Sequence, residues 1–123
     1  EPANSGIFLN IEKHAAPLPT CVEHQLKAGD AGQLLALSGA RIEEVEWVEG
    51  VIGRKERIAG SSEFAPGEWN KAEITVKDGH ITTYVNGVLQ NEATDLARSG
   101  PVALQSEGGP IQFRNVMLTP DVK

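Results

Sequence analysis

Two short stretches carry side chains suited to work on a hydroxyl-rich molecule. CVEHQLK at residues 21–27 holds Glu23 and Gln25, two positions apart, and ALQSEGG at 103–109 holds Gln105 and Glu107 at the same spacing. On a β-strand, residues two apart share a face, so each pair points one way. A carboxylate accepts hydrogen bonds, while an amide both donates and accepts, which together match sugar hydroxyls. Two carboxyls in one cleft can divide into a proton donor and a proton acceptor, and such pairs are the usual equipment of glycoside cleavage. The bland alternative is a pair of ordinary solvated strand faces.

A third stretch, IQFRNV at 111–116, sets Gln112 and Arg114 opposite Phe113, which reads as core. Arg114 suits bidentate binding of a carboxylate, on a substrate or on Glu23 or Glu107 as a structural pair. Among the six aromatics, Phe8 is a groove candidate together with Asn10, since both alternate with Ile7, Leu9 and Ile11. Trp47, in the polar run EEVEWVEG, is a candidate lid. Sugars stack their C–H faces on such rings. Trp69, ahead of a strand, reads as a corner-packing residue.

Other chemistries find little footing. His14, His24 and His80 lack the spacing of a zinc site, and there is no EF-hand-type loop, so no metal or cofactor is expected. His24 alternates onto an apolar face and reads as a packed or hydrogen-bonded histidine, and His14 is a weak candidate for swinging over a groove. Cys21 is the only cysteine, which excludes an internal disulfide, and no nucleophile elbow is present. The formal charge is −6 and the densest basic run is GRKER at 53–57. That composition disfavours nucleic acid and anionic membrane surfaces as partners. No run of 18 apolar residues exists to span a membrane.

The elements that must position these residues are strands. With 123 residues, 40% of them hydrophobic, the chain can build one core, so a single domain over 1–123 is expected. Helical periodicity is nearly absent and period-2 alternation recurs. It predicts strands near 5–12, 21–28, 32–40, 69–77, 80–85, 88–91, 101–107 and 110–119, whereas 41–60 is polar and ill-defined. Asp78-Gly79 and Asn86-Gly87 are two-residue hairpin signals that make 69–91 a meander. The fold class is therefore all-β, a sandwich of antiparallel sheets.

In order along the chain, NSGIFL (4–9), VEHQLKAGDAG (22–32), WNKAEITVKDGHITTYVNG (69–87) and GPVALQSEGGPIQFRNVML (100–118) resemble the 3-keto-disaccharide hydrolase domain family. The resemblance implies a concanavalin A-like jelly roll and bacterial proteins, commonly periplasmic or secreted, that act on carbohydrates. Some members cleave glycosides whose sugar is oxidised at C3. It implies a hydrolase or lyase with Glu23 and Glu107 as the titrating pair and with Gln25, Gln105 and Arg114 holding hydroxyls or polarising a ketone. The family's usual residue where Glu107 stands is histidine, a departure at this position. Members also carry strands ahead of the NSGIF segment, from which we expect a homodimer mate or an N-terminal segment to complete the sandwich. Two rival functions stay open: a non-catalytic, lectin-like carbohydrate-binding module, and an interaction module working by strand exchange.

Overall fold

The structure, a computed structural model, describes residues 3–13, 18–45 and 52–120. Its clearest part grows from the two turn dipeptides. β5 (Ala72–Lys77), β6 (His80–Val85) and β7 (Val88–Thr94) form a three-stranded antiparallel sheet in chain order. Asp78 and Gly79 (φ 51° and 83°) close the first hairpin, and Asn86 and Gly87 (φ 50° and 81°) close the second. Both central residues of each turn are left-handed, the conformation that matches the twist of the flanking strands.

Asn86 also clamps the start of this sheet. Its Oδ1 accepts the Lys71 N–H at 2.8 Å, and its Nδ2 donates to Ser62 O and Asn70 Oδ1, each at 2.8 Å. Trp69-Asn70 and Val85-Asn86-Gly87, two parts of one sequence signature, are thus tied together by structure rather than by a site.

The second sheet has five strands: β1 (Asn4–Lys13), β2 (Thr20–Gln25), β3 (Leu34–Leu37), β4 (Gly53–Lys55) and β8 (Ala103–Glu107). Their order is β4-β3-β2-β1-β8, every pair antiparallel. The inner face contributes Leu9, Val22, Leu34 and Ala36, which meet Ile81 and Ala93 of the smaller sheet, with Ile42 between them. Each buried aliphatic chain of this kind contributes about 1.5–3 kcal/mol. Asn91 of β7 ties the layers together: its Nδ2 lies 3.1 Å from the carbonyl oxygens of Gly32, Lys55 and Glu56. No described residue is helical, and the two packed antiparallel sheets are the expected all-β sandwich.

Three expectations need correction. β1 does not alternate throughout. Asn10 takes φ 51° at a register shift between Leu9 and Lys13, a bulge that reverses the parity. Leu9 stays in the inner core while Ile11 moves to the outer cluster with Phe8, Cys21, Leu35 and Leu37. Next, no strand forms at 110–119, where the chain lacks a ladder partner. Phe113 is exposed there rather than in the core, Met117 and Leu118 are 85% and 83% exposed, and Asn115 sits exposed at φ 54°. Finally, Trp69 is 43% exposed instead of packing a corner, with the Arg114 guanidinium 4.1 Å above its ring.

Candidate functional site

β1 is the reason the two side-chain pairs meet. It runs between β2 and β8, so residues far apart in sequence share rungs on the outer face of the larger sheet. Gly6 pairs with Gln25 on one side and with Gln105 on the other. One rung along, Asn4 pairs with Glu107. On the opposite side of Gly6, Glu23 pairs with Phe8 and with Leu35, and Leu35 pairs with Arg54. Directly opposed residues of antiparallel strands present their side chains to the same face.

The missing side chain of Gly6 makes the room. A Cβ there would overlap Glu23 Oε1 and come within 2.8 Å of its Cδ and Cγ. Glu23 therefore lies over the Gly6 backbone, with the two glutamines on either side. Glu107 approaches the same rung from the other end, accepting N–H bonds from Asn4 Nδ2 and Gln105 Nε2, both at 3.2 Å on Oε2. Asn4 Oδ1, Gln105 Oε1 and Glu23 Oε1 are buried and have no hydrogen-bond partner among the described residues. Gln25 is arranged the opposite way. Its Oε1 caps the Leu26 and Lys27 N–H groups at 3.1 and 3.0 Å, which leaves its Nε2 as the donor.

These side chains line one cleft of about 350 Å³, together with an apolar floor of Leu35, Leu37 and Ile52. That is the low end of the size range of small-molecule sites. A second hollow, lined by Phe8, Leu18 and Pro19, shares Gln105 and Glu107 with it.

Burial sets the electrostatics. Glu23 is only 3% exposed, and loss of hydration, followed by the nearby Glu107 carboxylate, pushes its pKa from 4.5 up to about 7. Burial first, then Glu23 and Asp95, push the Cys21 thiol up to about 12, so it is an inert core residue. His24 is fully buried on the inner face, and desolvation lowers its pKa to about 4. It is a packed neutral imidazole, as its alternation suggested.

Of the residues singled out from sequence, Glu23, Gln25, Gln105 and Glu107 line the cleft together, and Phe8 lines the adjoining hollow. Two others lie elsewhere. Asn10 turns into the bulge and donates to Asp95 Oδ2 at 3.0 Å, with both residues buried. Arg114 rides on Trp69 and is not among the residues lining the cleft, so it pairs with neither Glu23 nor Glu107. Trp47 and His14 fall outside the described residues. Sequence reading passed over Asn4, Gly6 and Arg54 as site residues. Asn4 and Gly6 stood in the NSGIF signature, but their part depends on β1 lying between β2 and β8. Arg54 lay in a polar stretch with no clear periodicity.

A model of the 3-keto-alpha-glucoside-1,2-lyase-like domain matches residues 1–119 of the chain. No curated protein and no solved structure matches it.

Proposed function

The chain belongs to the 3-keto-alpha-glucoside-1,2-lyase-like domain family, which supports a carbohydrate-active role, and from that premise we propose that the cleft carries out acid–base cleavage of a glycoside oxidised at C3. A ketone at C3 acidifies the hydrogen on C2. Glu107, exposed and oriented by two amide N–H groups, takes that proton, and the C–H electron pair passes into an enolate. The enolate collapses to a C1–C2 double bond and expels the glycosidic oxygen from C1. Glu23 supplies the proton with which that oxygen leaves as the free alcohol. Water adding back across the double bond makes the overall change a hydrolysis; without it the product is the unsaturated 3-keto sugar.

Gln25 Nε2 is the donor at hand for the developing enolate oxygen, a role that is useful because it strengthens as charge appears. The observation that carries this reading is Glu23 itself. A carboxyl held in a cleft without a protein partner, with its pKa raised to about 7, is poised to give a proton near neutral pH.

Incubation with a 3-keto-disaccharide, following release of the aglycone sugar, tests it. Turnover should fall by about 10²-fold or more in Glu23→Gln, the usual weight of a positioned acid. Undiminished turnover in that variant would remove Glu23 from the chemistry. Saturable binding of an unoxidised disaccharide without any turnover of the keto form would favour the lectin-like alternative.

A second, structural reading has its own observation. β8 is an edge strand whose Leu104, on the inner face beside Ile7, is exposed, as is Val102 just before it. β5 is the edge of the other sheet, with its Ile74 and Val76 only partly buried. Unpaired edges beside uncovered apolar side chains recruit another strand. We propose a second copy of the chain as its source. Light-scattering mass across a concentration series tests this, and a strict monomer at every concentration would overturn it.

A further inference from the structure

We propose that the cleft selects saccharides bearing a carboxylate, with Arg54 holding that group at the end remote from Glu107. This rests on the reading of the cleft as a saccharide site and adds the class of sugar. Arg54 shares the rung of Leu35 and Glu23 and lines the same cleft. Two inter-strand spacings separate it from Glu23, roughly 10 Å, a distance that one to two sugar rings bridge. Its guanidinium takes part in none of the ion pairs among the described residues. Its neighbours are engaged: Lys55 donates to Asn91 Oδ1 at 2.8 Å, and Arg57 donates to the Gly29 carbonyl at 2.6 Å.

Glu107 lies at one end of the cleft, on the Asn4 rung, and Arg54 at the other, on the rung of Glu23. Lys27 lies toward the Asn4 rung, and Asp30, whose Oδ1 receives a 3.5 Å contact from Gln33, is the only further acid lining the cleft among the described residues. Leu35 lies on the rung between Glu23 and Arg54, an apolar floor for the C–H face of a ring. A sugar acid meets its complement in one orientation only. Its carboxylate is repelled at the Glu107 end and attracted by Arg54. The planar guanidinium fork can take both oxygens of a carboxylate in a bidentate pair.

The test is calorimetric titration at low salt with three probes: maltose, the corresponding glucuronosyl-glucose, and a 6-sulfated maltose. The uronate should bind about fivefold tighter than maltose, the scale of one exposed charge pair, and 0.3 M salt should shrink the difference. In Arg54→Gln the preference should vanish, and a thermal melt matching that of the wild type shows that the variant is folded. Equal binding of maltose and uronate, or a preference that survives Arg54→Gln, would overturn the proposal and leave the saccharide reading standing. Tighter binding of the sulfate than of the uronate would overturn the carboxylate assignment. Binding of none of the three would overturn this inference, while turnover of a 3-keto-disaccharide decides the saccharide reading separately.

Discussion

The outer face of β2 and the segment after β8 invert each other. In β2 a glutamate and a glutamine are buried, whereas after β8 a phenylalanine, a valine, a methionine and a leucine stand in solvent. Burial here follows from what covers a position and not from residue type alone. β2 is the central strand of five and has neighbours on both edges. Residues 110–120 have no ladder at all. Burying a polar group costs free energy, whereas leaving an apolar one in water forgoes the gain of burial.

The comparison sharpens under substitution. The largest stability effect belongs to the core shared by the sheets. Leu34→Ala should cost about 2–5 kcal/mol by denaturant titration, since the residue is fully buried between the layers. A smaller loss than about 1 kcal/mol there would mean the inner face packs loosely.

Next comes the pH response of the buried acid. With its folded pKa raised to about 7, Glu23 favours folding most at pH below its ordinary 4.5, and that contribution is lost as pH rises through 7. His24, lowered to about 4, acts in the other sense: its contribution is present above 6.5 and lost as pH falls toward 4. The two offset each other between about 4.5 and 6.5 in the wild type. In Glu23→Gln only the histidine effect remains. Thermal melts from pH 4.5 to 8 should therefore show the variant gaining on the wild type as pH rises, by a total of about 3 kcal/mol. Parallel curves would mean that Glu23 is hydrated in the folded state.

A smaller effect is expected at the cleft floor. Gly6→Ala forces the Glu23 carboxyl off its seat, at about 1–3 kcal/mol in stability. The Glu23-dependent limb of the pH–rate profile should shift toward an ordinary carboxylate value. Full activity with an unchanged profile would show that Glu23 works equally well elsewhere. At the bottom of the scale, Leu118→Ala should change stability by about 0.5 kcal/mol or less, its side chain being exposed. A large loss would reveal a partner on that surface.

Much of the fold was legible because the relevant signals are local. Asp78-Gly79 and Asn86-Gly87 encode their own turns, and alternation placed Glu23 with Gln25, Gln105 with Glu107, and Val22 with His24. Failures occurred where a local pattern met a non-local fact. Asn10 broke parity through a bulge, and Phe113 looked like core because alternation cannot tell whether a strand has a neighbour. General burial tendencies put Trp69 in a packed corner, whereas it is half-exposed with Arg114 stacked on its ring.

The sequence by itself determined the strand character, the two hairpins, the pairing of polar side chains within each strand and the family. Only the tertiary structure decided that β1 inserts between β2 and β8, which brings Glu23 and Glu107 to one glycine from opposite ends. It also decided that Arg54 shares their cleft and that Arg114 does not. The physical reason is range. The direction of a side chain along a strand is set by the strand's own backbone, whereas the company it keeps, its hydration and its pKa are set by strands distant in sequence.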